Sequence, residues 1–134
     1  MPPVSLVRAA SLDGTVPYAY AAVTAPGSLV FTAGACPLDE AGDVVAVGDV
    51  AGQAAVVMAN LEVALAAAGA GLDDVAKSTV YVASSRREDL VAAWDVVRAA
   101  FGDHDAPSTL LGVAALGFPD QLVEVEAVAA LPPA

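Results

Sequence analysis

The stretch "LVEVEAVAAL", residues 122–131, decides how the chain is organised. Val123, Val125, Ala127 and Ala129 alternate with Leu122, Glu124, Glu126 and Val128. A period of two over this length defines a strand whose wholly apolar side lies in a packed layer. The other side carries two carboxylates between apolar residues. In a monomer that side would meet solvent. Twelve residues before Leu122 lies Leu110, within a second apolar stretch, "APSTLLGVAAL", residues 106–116. This predicts a strand over Thr109–Leu116, entered through Pro107 and Ser108.

Upstream, β-branched residues over Val75–Ser84 predict another strand. Leu90, Trp94, Val97 and Phe101 recur at helical spacing, with Gly102 as the stop. Ser85 is the expected N-cap of that helix, with Glu88 as its capping-box partner. Asp49–Ala68 predicts the longest helix. Its stripe is Val50, Ala54, Val57, Leu61, Leu65 and Ala68, its N-cap Asp49 and its stop Gly69. Toward the N-terminus, Val4–Ala9, Tyr18–Ala25 and Ser28–Ala33 read as strands, the last two joined by a tight hairpin at Pro26–Gly27. "CPLDEAGDVV", residues 36–45, is a turn-rich excursion that should end in a short strand near Val44–Val47. Strands, helix, strand, helix and two strands make one α+β domain over residues 1–134: a mixed sheet with two helices on one face. Burial of the other face against further copies of the chain is expected.

Composition narrows the functional classes. Hydrophobic residues make up 57% of the chain and aromatics 5%, so small side chains dominate the packing. Sixteen acidic residues against five basic ones give a net charge of −11, which repels phosphate backbones and argues against nucleic acid as a partner. The most apolar segment, Ala54–Gly69, carries Asn60 and Glu62 and reads as amphipathic, so no membrane span is expected. "MPPVSLVRAA", residues 1–10, has no charged start followed by an apolar signal core. With a single cysteine, Cys36, no intrachain disulfide can form, and a cytoplasmic setting is expected.

The element order, together with "VPYAYA", "FTAGACPL", "APSTLLGVAAL" and "LVEVEAVAAL", resembles the Rid family (RidA, also called YjgF) from about Pro17 to Leu131. The resemblance implies a chorismate-mutase-like two-layer fold assembled as a homotrimer around a central β-barrel, with small-molecule clefts between subunits. It also implies hydrolysis of reactive imines and enamines to a carbonyl compound and ammonia, without metal or cofactor. Aligned on "GVAAL", the family's carboxylate-binding arginine falls at Ser108, and Thr109 follows it. The family's water-positioning glutamate falls at Glu124. Tyr18 matches the family's tyrosine, Ala33-Gly34-Ala35 stand at its Ser-Gly-Gln strand end, and Cys36 follows that turn near the implied cleft. Trp94 stands where many active members carry asparagine.

Each of these residues also has a plain structural reading. The Ser108 hydroxyl can bond locally to backbone, and it cannot offer the charged fork of an arginine. Glu124, if desolvated, suits general acid–base work; otherwise it pairs with a neighbouring subunit or is simply solvated at the axis of the implied trimer. Glu126, on the same side, reads as structural. Tyr18 and Trp94 can each be core aromatics. Arg86 and Arg87, the one adjacent pair of cations, read as a solvated helix start, with replacement of the missing cleft charge as the alternative. Cys36 has no histidine near it in sequence and is not expected to be a nucleophile. His104, the only histidine, has no ligand-spaced partner, so no metal site is expected. Three functions compete: an imine or enamine hydrolase with altered substrate scope, a non-catalytic trimeric small-molecule-binding protein, and RNA cleavage. The acidic surface makes the last the weakest.

Overall fold

In the computed structural model, which describes residues 2–133, the strands in chain order are β1 (Val4–Val7), β2 (Ala21–Thr24), β3 (Leu29–Phe31), β4 (Val75–Val82), β5 (Ser108–Gly112) and β6 (Val123–Ala130). The helices are α1 (Val50–Ala67) and α2 (Arg87–Phe101), with a single 3₁₀ turn at Leu72–Asp74. The main sheet has the order β3-β6-β4-β5. β4 and β5 are parallel, and α2 provides the crossover that parallel neighbours need. The β3–β6 and β4–β6 pairs are antiparallel, so the sheet is mixed.

Both helices lie on one face of this sheet, as the alternation of β6 predicts. Val123, Val125, Ala127 and Ala129 are buried with Val80 and Val82 of β4 against Ala54, Val57, Leu61 and Leu65 of α1 and Ala93, Val97 and Phe101 of α2. Fully burying one such aliphatic side chain contributes about 1.5–3 kcal/mol. Helix α1 is long and apolar enough to cross a membrane, yet its stripe packs onto the sheet. Asp49 caps α1 by accepting from Gly52 N at 2.9 Å, and Gly69, at φ +86°, provides the left-handed stop. Ala68, the last predicted position of the stripe, is exposed.

Three local expectations are corrected. Pro26–Gly27 does not join a hairpin: β2 pairs with β1 in a separate two-stranded sheet, and β3 pairs with β6. The dipeptide marks the place where the chain leaves one sheet for another. Ser85 does not cap α2. The N-cap is Arg86, and Ser84 ties the first turn by donating to Asp89 Oδ2 at 2.7 Å while accepting from Arg86 N at 3.0 Å. The excursion after Cys36 forms only a single bridge, Leu38 to Val44, rather than a strand, because turns at Asp39–Gly42 bond back on themselves.

Candidate functional site

Strand register sorts the expected site residues onto two faces. Ser78 pairs with both Ser108 and Ala127, which places Ser108 on the helix side of the sheet. There it lines an open cavity of about 290 Å³ with Tyr18, Trp94 and Leu110. Its hydroxyl donates to Ala106 O at 3.0 Å and lies 2.5 Å from the hydroxyl of the fully buried Ser78. Both hydroxyls are therefore engaged within the protein. Tyr18 meets Tyr20 edge-on, with ring centroids 6.0 Å apart.

Glu124 lies on the other face. Tyr81 is its partner in register on β4, and Thr79 pairs with both Glu126 and Thr109. The segment after β3 continues beside β6, where Ala35 N donates to Val125 O at 2.7 Å and Val125 N returns a bond to Ala35 O at 3.2 Å. This ladder brings Gly34 and Cys36 against the Glu124 carboxylate. A β-carbon at Gly34 would collide with Glu124 Oε2, so only glycine permits the close approach. Cys36 Sγ donates to Glu124 Oε1 at 3.3 Å, and Gln121 Nε2 donates to the same oxygen at 3.1 Å. Burial, then the hydrogen bond to Glu124 and its negative charge, push the Cys36 thiol up to about 11. The thiol is thus a donor to the carboxylate at neutral pH, not a thiolate nucleophile.

Gly34 and Cys36 line an open groove of about 870 Å³ bounded by Asn60, Val63 and Phe118. Three amide side chains hold its walls. Asn60 Nδ2 donates to Cys36 O at 2.9 Å and Leu38 O at 3.0 Å, fastening the turn to α1. Gln53, fully buried, donates to Asp120 O at 2.9 Å and accepts from Leu122 N at 2.7 Å. Gln121 accepts from Phe118 N at 3.2 Å. Sequence reasoning assigned none of these amides a place in the site. The available signal was polar amides within apolar helical and strand-flanking stretches, where an unpaired amide would be costly.

The remaining candidates lie elsewhere. Thr109, next to Ser108 in sequence, points to the opposite face and accepts from Lys77 Nζ at 2.6 Å. Burial lowers the pKa of Lys77. Glu126 accepts from the Tyr81 hydroxyl, and this bond is the main cause of the raised pKa of that tyrosine. Arg86 pairs with Glu88 at 3.2 Å, with both side chains well exposed. His104 Nε2 lies 2.7 Å from Val75 O. Among the described residues no cluster of three or more His, Cys, Asp or Glu side chains could hold a metal ion.

The comparisons with known proteins agree with one another. The sequence profile of the family described as Endoribonuclease L-PSP matches residues 9–131. A RutC family protein of Pyrococcus abyssi is 36% identical over 104 residues, 77% of this chain and 79% of that one. The 3-aminoacrylate deaminase RutC of Acinetobacter baylyi is 32% identical over 119 residues, 87% of this chain and 92% of its own. The crystal structure of a Rid family protein of unknown function from Yersinia pestis superposes with a TM-score of 0.90 at 29% identity, covering 96% of this chain and 99% of that one. The β3-β6-β4-β5 sheet under two helices, the Gly34 turn folded onto Glu124 and a match spanning nearly all 134 residues lead to one assignment: the chain belongs to the Rid (RidA/YjgF) family.

Proposed function

We propose that this protein hydrolyses reactive imines or enamines of small metabolites, releasing a carbonyl compound and ammonia, with a substrate scope unlike that of arginine-bearing relatives. The observation that carries the reading is the fixed carboxylate of Glu124, whose Oε1 is held by Cys36 and Gln121. Its Oε2 accepts no hydrogen bond among the described residues and lies against Gly34. A carboxylate held this way accepts a proton from water as the water oxygen bonds to the imine carbon. The C=N π electrons pass to nitrogen. Glu124 then returns the proton to that nitrogen, giving a carbinolamine; it next takes the hydroxyl proton and passes it to the nitrogen as the C–N bond breaks, so that ammonia leaves and the carbonyl forms. One water is consumed and one ammonia released. An enamine first takes a proton at its β-carbon and gives one up from its nitrogen, which makes it the imine. Water and a proton carrier suffice for these steps, so neither metal nor cofactor is needed.

The active form would be a homotrimer with a chorismate-mutase-like central β-barrel, its clefts between subunits. Within one chain, Tyr18, Trp94 and Ser108 lie on the helix side of the sheet and Glu124 lies on the other. One substrate reaches both groups only if a neighbouring copy brings the second. The deaminase activity named for the Acinetobacter relative supports this reading. RNA cleavage, named in the description of the family profile, is opposed by the net charge of −11. The committed hydroxyl of Ser108 favours a second reading, a non-catalytic trimeric small-molecule-binding protein.

Ammonia release separates the two. Imines would be generated in place, 2-imino acids by an amino-acid oxidase and uncharged imines by an amine oxidase. Acceleration of ammonia release over buffer with at least one imine is expected. No acceleration with either class would leave the binding-protein reading.

A further inference from the structure

We infer that the cavity between Tyr18, Trp94, Ser108 and Leu110 takes an uncharged, apolar group, best a planar ring, and rejects carboxylates. The inference rests on reading this cavity as part of the substrate site, and it narrows the substrate to imines or enamines whose side group carries no charge. Four features of the cavity support it.

Its size suits a ring. An engineered apolar cavity of about 150 Å³ holds benzene, and this one offers about 290 Å³. Its walls are two aromatic rings and a leucine, which gain contact with a flat apolar group.

Its serine hydroxyl is spoken for. Ser108 and Ser78 bond to each other, and Ser108 also donates to Ala106 O. The Tyr18 hydroxyl donates to no acceptor among the described residues and remains to direct a neutral polar atom.

No basic side chain lines it. Arg8 is engaged by Asp105 at 3.0 Å and Val16 O at 2.9 Å. Lys77 serves Thr109 on the other face of the sheet. Arg86 pairs with Glu88, and Arg87 is exposed at the start of α2. Arg98 is exposed one turn beyond Trp94; it is absent from the cavity lining and borders a neighbouring crevice of about 10 Å³, which Trp94, Ser108 and Asp105 also line. An anion entering the cavity would lose hydration and meet no basic side chain in the lining, with Asp105 beside Arg98 in the next crevice. The net charge of −11 repels it further.

Trp94 is the only tryptophan and lines both this cavity and the small crevice beside it, so its fluorescence reports on binding at this place in the fold. The test is titration of the whole protein with benzamide and with benzoate, which share shape and differ in charge, at fixed ionic strength and pH 7.5. Benzamide should bind at least about tenfold more tightly than benzoate, the scale of one charge-assisted contact. Ser108→Arg, with its fold verified by circular dichroism, should reverse the order. Should that variant not fold, Leu110→Ala should weaken benzamide binding severalfold. Equal or tighter binding of benzoate by the wild type overturns the inference, as does a lack of response to either ligand at millimolar concentration. A preference for benzamide without ammonia release from any imine leaves the inference standing and removes the hydrolase reading. Ammonia release together with a preference for benzoate does the reverse.

Discussion

Cys36 and Glu124 show how one pair of side chains can set the chemistry of a site. The thiol lies 3.3 Å from the carboxylate and its pKa is pushed up to about 11 by burial and by that carboxylate. As the only cysteine, it can be followed by alkylation. Reaction with iodoacetamide should be slow near pH 7 and should accelerate only as the pH approaches 11. Glu124→Gln removes the charge and should shift the profile toward the ordinary thiol range near pH 9. A thiol fully reactive at pH 7 would contradict the arrangement. The sign of the linked stability follows. The pKa is higher in the folded state than in the unfolded one, so the stabilisation is complete below about pH 9 and is lost as the pH rises through about 11. At position 108 the corresponding expectation concerns rate. Lacking an arginine's bidentate contact, the wild type should process carboxylate-bearing 2-imino acids ten- to a hundredfold more weakly than arginine-bearing relatives, roughly 1.5–3 kcal/mol. Steady-state kinetics on the imine of alanine checks this, and a rate equal to theirs would show that another cation serves the cleft.

At the scale of elements, α1 supports both the core and the site. Its inner stripe reaches the sheet through Leu61, and Asn60 beside it fastens the Cys36–Leu38 turn. Leu61→Ala should cost about 2–5 kcal/mol in urea unfolding, as cavity-forming changes in packed cores do. Asn60→Ala should cost about 1–3 kcal/mol by leaving two carbonyls without their donor, and it should speed hydrogen exchange of the Cys36 and Leu38 amides. Unchanged exchange there would show that the turn holds itself. These elements also show what could be read in advance. The alternation over Leu122–Ala130 and the stripe from Val50 to Leu65 were legible because one period repeats through each. The Gly34–Glu124 juxtaposition was legible only through family resemblance. Which strand pairs with which was not legible. Pro26–Gly27 announces a turn but says nothing of whether β2 finds β3 or β1, since pairing is settled by contacts distant in sequence. For the same reason Ser108 and Glu124 could not be assigned to opposite faces: a one-residue change of register reverses every side chain of a strand.

At the scale of the whole molecule, the face of the sheet away from the helices is the feature to explain. Phe31 is 72% exposed and Leu111 43%, beside Lys77, Thr79, Tyr81 and Glu126. The chain's accessible surface is 7086 Å², against about 6,400 Å² expected for a compact monomer of its mass. The excess and the apolar open face fit a subunit shaped for assembly. Light scattering at micromolar concentration should give three times the 13.2 kDa chain mass, and a stable monomer would remove the shared cleft. The decisive quantity is the rate of ammonia release from whichever freshly generated imine the wild type turns over fastest, compared with Glu124→Gln at equal chain concentration. The variant should lose at least about a hundredfold in rate, the usual scale of general acid–base catalysis, while keeping the trimer mass and benzamide affinity. Release at the wild-type rate by Glu124→Gln would contradict the assignment of the chemistry to this carboxylate.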